Sequence, residues 1–178
     1  MTPDAIILKG RYAKMIKELS SSTEIRPKLF ETMYDAYIFS AIYGLMKGRT
    51  ATYNPEKDDL QDVEPATIRS EVLIGKRGKD SYFNIRKMVI LMENVRGLSF
   101  EEKVDAALRF DMPIDDDADE FMKVHSKFNS NTELLNQFAL GGLDLFYSKV
   151  VECDTTESLI YFMRETEEQL RKALSKAQ

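Results

Sequence analysis

Cysteine, histidine and tryptophan are almost missing from this chain of 178 residues, which has one Cys, one His and no Trp. One cysteine cannot form an internal disulfide, so a scaffold held by disulfides is excluded. One Cys and one His also fall short of the ligand set that a structural zinc site requires. The sequence therefore predicts neither a disulfide framework nor a bound metal or other cofactor.

Long apolar runs and an overall basic charge are missing as well. No stretch reaches the roughly 18 apolar residues of a membrane span, and the short run Ala5–Leu8 follows an acid, unlike a signal peptide. The chain has 25 basic and 30 acidic residues, so it is not basic throughout, although a local basic patch remains compatible with that balance. Hydrophobic residues make up 43% and charged residues 31%, which is typical of a globular protein. We expect a single cytoplasmic domain over residues 1–178.

Helical periodicity dominates what is present, because apolar residues recur every three or four positions through most of the chain. The predicted helices begin near Thr2, Phe30, Ser81, Ser99, Asp115 or Asp116, Asn131 or Thr132, and Asp154. Gly48 stands where a glycine would end the second of these helices, and Ser99 forms a capping box with Glu102. The pattern predicts an all-α, single-domain bundle of about six to seven helices.

Two segments depart from this pattern. Residues 50–68 are rich in acids and contain Pro55 and Pro65, which is typical of a polar, mobile loop within the domain. Val72-Leu73-Ile74 is a short apolar run that ends at Gly75. Because a strand needs a partner, this run predicts at most one minor strand or hairpin near 71–75.

One cluster of basic charge interrupts the acidic chain. From Arg69 to Lys87 there are six basic residues and two acidic ones. Gly75 and Gly78 would let the backbone approach a phosphate, and a predicted helix begins just after them. The spacing does not match a nucleotide-binding phosphate loop. The candidate nucleic-acid-binding residues are Lys76, Arg77, Lys79, Arg86 and Lys87. The alternative is a solvated basic loop with ordinary surface ion pairs.

No group of residues matches a catalytic motif. The acidic run 115–120 lacks the glycine and the glutamate that a calcium loop carries at fixed positions. His125 falls on an apolar helical face with Phe121 and Phe128, which favours a core or interface role. Neither a nucleophile elbow nor a zinc-protease motif occurs. A metal-dependent nuclease built from scattered acids is therefore the least favoured function.

Two segments, 30–49 (FETMYDAYIFSAIYGLMKGR) and 134–146 (LLNQFALGGLDLF), resemble one family. The first is similar to the early helix, and the second to the later Gly-Gly-Leu block, of small accessory proteins encoded beside bacterial DNA phosphorothioation systems. This chain has Phe138-Ala139-Leu140 where the family more often has Tyr-Ala-Asn. The resemblance implies a role beside DNA sulfur modification, or the restriction linked to it, and implies no reaction.

Two functions follow as hypotheses. The first is a non-enzymatic accessory protein of such a system, which docks on a partner protein, with the DNA backbone as a further contact. Its candidate partner-interface residues are Lys47, Arg49, Gly141 and Gly142. The two glycines also have a structural interpretation, because they interrupt a helical pattern and indicate close packing or a kink. The second function is a helical interaction or oligomerisation module of another pathway, for which nine Met and eight Tyr suit adaptable contacts.

Overall fold

The structure is a computed structural model that describes residues 5–22, 27–69, 78–108 and 118–175, without the side chains of 78–83, 118–130 and 173–174. Within these residues it contains seven helices and one small antiparallel sheet of two strands, so the predicted helical fold is confirmed. The elements are β1 Ala5–Leu8, α1 Gly10–Ser20, α2 Met33–Lys47, α3 Pro55–Asp58, β2 Ala66–Arg69, α4 Gly78–Met92, α5 Phe100–Leu108, α6 Ala118–Glu152 and α7 Thr156–Ser175.

The first predicted helix was wrong over its first half. Residues Ala5–Leu8 form β1, which pairs with Ala66–Arg69 so that Ile6 lies opposite Ile68. Gly10, the first residue of α1, has a φ of 50°, a left-handed backbone conformation that glycine adopts at little cost and that marks the change from strand to helix. The strand that pairs with β1 lies about 60 residues further along the chain, so local sequence gives no sign of it. The apolar residues of this segment also fit the spacing of a helix, which is why a helix was predicted. Thr2, the predicted cap, lies outside the described residues.

The segment predicted as a polar loop, 50–68, contains regular structure. Asn54 caps the short helix α3, since its Oδ1 accepts a hydrogen bond of 3.0 Å from the backbone N–H of Glu56. The segment then runs into β2, whose Ala66 and Ile68 are buried. Its mobility stays a prediction. The minor strand predicted near 71–75 falls outside the described residues, whereas β2 ends at Arg69.

The helix boundaries test the capping rules directly. The capping box of Ser99 and Glu102 and the left-handed Gly48 at the end of α2 are both confirmed. The helix break predicted at Asn131 or Thr132 was wrong, because α6 runs without interruption from Ala118 to Glu152. The last helix is capped by Thr155, whose Oγ1 accepts a hydrogen bond of 3.1 Å from the N–H of Ser158, and not by Asp154.

The core is built around α2 and α6, which pack along each other, with α1 and α4 beside them. Five aromatic rings fill one end of this contact, and Phe146 lies at their centre, with its ring centroid 4.8 Å from that of Phe39. The other rings of the group are Phe30, Tyr43 and Phe162. Within the described residues, no helix is both long enough and apolar enough to cross a membrane.

Candidate functional site

The predicted nucleic-acid contacts do not form a described surface. Lys76 and Arg77 lie outside the described residues, and Lys79 belongs to the first turn of α4, where side chains are not described. Lys87 is half-buried, and Arg86 is only 1% exposed. A buried guanidinium cannot reach a phosphate of a DNA strand at the protein surface. The prediction that Arg86 contacts nucleic acid is therefore wrong.

The predicted partner-interface glycines are also inside the protein. Gly141 and Gly142 are buried on α6 where it crosses α2. A Cβ at Gly142 would lie 1.9 Å from the carbonyl oxygen of Ser40, and a Cβ at Gly141 would lie 2.4 Å from that of Arg49. Neither glycine has a surface to offer a partner. Their structural interpretation as sites of close helix packing is the one that the coordinates support.

The crossing brings two backbones together without side chains between them. Gly44 contributes from α2, since a Cβ there would lie 2.1 Å from the carbonyl oxygen of Phe138. Just beyond α2, the N–H of Ala51 donates a 2.9 Å hydrogen bond to the carbonyl oxygen of Gln137. Segments 30–49 and 134–146 are the two sides of this crossing.

The other two interface candidates lie at the exposed end of α2. Lys47 donates a 2.8 Å hydrogen bond from Nζ to Oε1 of Gln169 on α7, and its Nζ lies 5.5 Å from the centre of the Tyr43 ring. Arg49 is exposed, although its carbonyl oxygen takes part in the crossing. Lys47, although exposed, is therefore engaged with α7 and is only partly available to a partner.

A polar cluster joins α1, α3 and α6 beside the crossing. Arg11 binds both acids of the cluster, with Nε 2.6 Å from Oδ1 of Asp58 and Nη2 2.9 Å from Oδ2 of Asp144. The Tyr12 hydroxyl accepts a 2.7 Å hydrogen bond from Arg11 and donates one of 3.1 Å to Asp144. The remaining oxygen of Asp58 accepts the backbone N–H of Asn54 at 2.7 Å. The cluster therefore connects α1, α3 and α6 through hydrogen bonds and ion pairs.

The electrostatics of this cluster do not favour proton transfer by its tyrosine. Burial, together with the negative charge of Asp144, raises the pKa of Tyr12 to about 12. Burial also raises the pKa of Asp144, although Arg11 opposes that change. The Oδ1 of Asp144 is buried without a hydrogen bond. A phenol that stays protonated at neutral pH serves here as a hydrogen-bond donor. Among the described residues, no three His, Cys, Asp or Glu side chains lie close enough together to hold a metal ion.

A second polar cluster fixes the connection between α4 and α5. Glu93, 1% exposed, follows the last residue of α4, and its Oε2 accepts the backbone N–H groups of Val95 at 2.6 Å and of Arg96 at 3.0 Å. Its Oε1 pairs with Nε of Arg96 at 2.9 Å. Arg96 then donates from Nη1 to Oδ1 of Asn131 at 2.8 Å, and Nδ2 of Asn131 donates to the carbonyl oxygen of Ala106 at 3.1 Å. The connection is thus tied to both α5 and α6.

Lys103 completes this cluster from α5. It is buried, and its Nζ donates hydrogen bonds to the backbone carbonyl oxygen of Glu93 and, at 3.2 Å, to Oδ1 of Asn94. Burial alone would raise the pKa of Glu93, but the hydrogen bonds from Arg96 and Val95 outweigh it and hold that pKa below its ordinary value. The ionised Glu93 therefore stabilises this connection, which we call the α4–α5 corner (residues 93–100).

Large apolar side chains are exposed at the α4–α5 corner and at the far end of α5. Phe100 is 72% exposed, Val95 is 55% exposed and Leu108 is 53% exposed. The buried side of α5 carries Lys103 and Ala107 instead. The sequence pattern did not predict these exposed side chains, because apolar residues at helical spacing are expected to face the core. No signal in the sequence marked the exposure of Phe100, since it stands four residues before Val104 and seven before Ala107 and therefore shares their apolar line.

Comparisons with protein-family models, with curated proteins and with solved structures found no match to this chain.

Proposed function

We propose that this protein is a non-enzymatic accessory protein of a bacterial DNA sulfur-modification or restriction system, and that it acts in the cytoplasm by docking on a partner protein of that system. The observation that carries the proposal is the pairing of segments 30–49 and 134–146. Both resemble the same family. Although they are far apart in sequence, they pack against each other where α2 crosses α6 at Gly44 and Gly142. Two segments that form one structural unit make a more specific resemblance than two isolated ones.

The docking part of the proposal is supported by the α4–α5 corner. A buried ionic network fixes this connection, while Phe100 and Val95 project from it. Exposed aromatic side chains on a rigid support are typical of protein-binding surfaces. A contact to the DNA backbone through Lys76, Arg77 and Lys79 belongs to the same proposal, and it rests on the local basic charge of that segment.

Deletion of the gene in its native host tests the pathway. We expect at least a tenfold loss either of phosphorothioate linkages in genomic DNA, measured by mass spectrometry of nuclease digests, or of restriction of unmodified incoming DNA. Expression of the full chain should restore the lost activity. Normal modification together with normal restriction in the deletion strain would reject the pathway.

A gel shift with duplex DNA tests the DNA contact separately. We expect binding at low salt that weakens steeply as salt rises, because phosphate contacts release counterions. Replacing Lys76, Arg77 and Lys79 by Glu should abolish the shift. The matched control replaces Arg164, Arg171 and Lys172, which are exposed basic residues of α7, and should leave it intact. If the wild-type protein gives no shift at low salt, the DNA contact is rejected while docking on a protein stands.

Self-association is the second candidate function, and exposed apolar side chains at the start of α7 favour it. Ile160 and Tyr161 are both exposed there. Light scattering over a range of concentrations decides this alternative, because an oligomer gains mass as concentration rises. A monomer at every concentration removes it.

A further inference from the structure

We infer that a second copy of this chain docks on the outer side of α7, with the two helices antiparallel and related by a two-fold axis. The contact is made by Glu157, Ile160, Tyr161 and Arg164, which we call the α7 patch. The inference rests on the second candidate function, self-association, and adds to it the place and the orientation of the contact. It does not depend on the accessory role.

The four residues of the α7 patch lie together on the side of α7 that faces away from the core. Spacings of three, four and seven residues place side chains on one side of a helix. Ile160 is 49% exposed and Tyr161 is 71% exposed, whereas Leu159 and Thr166 are buried on the opposite side. The patch is therefore open to a partner over about two turns of the helix.

Contacts on the inner side of α7 hold the patch in one position. The centroid of the Phe162 ring lies 5.5 Å from that of Phe146 on α6. Lys47 on α2 donates its hydrogen bond to Gln169, and Thr155 caps the first turn of α7. Because the helix is already ordered, a second copy would lose little free energy in arranging it.

The two ends of the patch carry opposite charges. Glu157 lies at its N-terminal end and Arg164 at its C-terminal end, and both side chains are exposed. Neither forms an ion pair with another residue in the part of the chain that the structure describes, whereas Arg171, further along α7, pairs with Glu167. The two charges are thus available to a partner that presents the opposite sign at each end.

A second copy meets this requirement because the patch is complementary to itself. The charged pair Glu157 and Arg164 and the apolar pair Ile160 and Tyr161 share one midpoint, between residues 160 and 161. In an antiparallel contact centred there, Glu157 lies opposite Arg164 of the second copy. Ile160 lies opposite Tyr161 of the second copy, and the two-fold axis repeats each contact. A parallel contact would instead bring like charges together.

The apolar and charged residues have different roles in this contact. Burial of Ile160 and Tyr161 against their counterparts removes apolar surface from water and supplies most of the affinity. Exposed ion pairs contribute little free energy, but like charges in opposition penalise a wrong orientation. Because the patch is small, we expect a weak, reversible dimer.

Sedimentation equilibrium of the purified full chain over a range of concentrations tests the apolar pair. We expect wild type to shift from monomer to dimer without larger species, because a two-fold contact closes on itself. Ile160→Ala and Tyr161→Ala should each weaken the dimer at least fivefold. The matched control is Ile7→Ala, since Ile7 is 57% exposed but lies on β1, and it should stay within twofold of wild type.

Charge reversal in the same assay, at low salt, tests the antiparallel orientation. Glu157→Arg and Arg164→Glu should each weaken the dimer at least tenfold, because each change places like charges opposite each other on both sides of the axis. The double variant Glu157→Arg/Arg164→Glu restores opposite charges and should return to within threefold of wild type. The matched control is Glu101→Arg, which changes the second residue of α5 as Glu157→Arg changes that of α7, and should have less than a twofold effect.

The outcomes separate the inference from the function on which it rests. A dimer that Ile160→Ala and Tyr161→Ala leave unchanged would keep self-association and reject the α7 patch. Single charge variants that the double variant does not restore would also reject the antiparallel contact. A monomer at every concentration would reject both self-association and the inference, and would favour a different protein as the occupant. Unchanged thermal unfolding confirms that each variant is folded, and the deletion strain tests the accessory role independently.

Discussion

Helix α6 is held at two places by opposite means. Near Asn131 it meets the buried network of Glu93 and Arg96, in which each contact is a hydrogen bond or an ion pair. Near Gly142 it meets α2 backbone to backbone, and the contact exists because a side chain is absent. Removing a polar side chain should therefore weaken the first contact, whereas adding a side chain should weaken the second.

The carboxylates beside these two contacts differ in the same way. The pKa of Glu93 lies below its ordinary value, because the hydrogen bonds it receives outweigh its burial. The pKa of Asp144 lies above its ordinary value, because burial outweighs the attraction of Arg11. Both acids pair with an arginine, yet folding favours the charged form of one and the neutral form of the other. An ion pair seen in coordinates is thus no measure of stabilisation.

The largest effect is expected at the close crossing. Gly142→Ala would place a methyl group 1.9 Å from the carbonyl oxygen of Ser40, and two helix backbones would have to move apart. We expect the free energy of unfolding to fall by about 3 kcal/mol, measured by urea denaturation. The control is Gly48→Ala, where a Cβ meets nothing within 4 Å and only the positive φ opposes it. That change should cost about 1 kcal/mol. Equal losses for the two variants would contradict the close contact.

The next effect is expected at the polar contact. Glu93→Gln keeps the shape of the side chain but removes the charge that binds Arg96 and two backbone N–H groups. We expect a loss of about 2 kcal/mol at neutral pH in the same urea assay, because these hydrogen bonds involve a charged acceptor.

Acid should erase the difference between this variant and wild type. The pKa of Glu93 is lower in the folded than in the unfolded state, so its stabilisation is complete above the ordinary glutamate pKa of about 4.3. It is then lost as the pH falls through the folded value. Urea midpoints of the two proteins, measured from pH 7 downward, should converge below about pH 4. A constant gap would mean that the charge of Glu93 is not what stabilises the corner.

The smallest effect is expected at Asp144. Asp144→Asn mimics the neutral form that the folded state favours, and Arg11 keeps its pairing with Asp58. We expect the free energy of unfolding at pH 7 to change by less than about 1 kcal/mol, since Arg11 and Asp144 are partly exposed.

The sign of the pH dependence gives a sharper check on Asp144. Its folded pKa is raised, so its contribution to stability is greatest below the ordinary aspartate pKa and decreases as the pH rises through the folded value. Wild type should therefore lose stability relative to Asp144→Asn as the pH rises toward neutral. A loss at pH 7 as large as that of Glu93→Gln would show that the two carboxylates act alike after all.

Local signals predicted much of the helical fold. The periodicity of α2, the glycine at its end and the capping box before α5 are each written in a few consecutive residues, and all three appear in the structure. The pairing of β1 with β2 could not be predicted in this way, because it joins distant segments and each strand is too short to have a pattern of its own. The capping rules wrongly predicted a helix start at Asn131. Its side-chain amide instead accepts a hydrogen bond from Arg96 and donates one to the carbonyl oxygen of Ala106.

The candidate site was harder to predict than the fold. Charge along the sequence drew attention to Arg86, whose burial depends on how α4 packs. Gly141 and Gly142 were recognised as unusual, but only the path of α2 shows that they face inward. Phe100 had no distinguishing pattern, since exposure of an aromatic residue is decided by tertiary packing and not by its neighbours in the chain.

The length of α6 has a practical consequence for spectroscopy. From Asn131, beside the α4–α5 corner, to Glu152 the helix rises about 32 Å, at roughly 1.5 Å per residue. The chain's one cysteine, Cys153, follows directly after the helix and is half-buried. A dye attached to that thiol would report from a known distance on a second dye carried by a ligand at the corner. The straight length of α6 thus sets the distance between the two dyes, which energy-transfer measurements can determine.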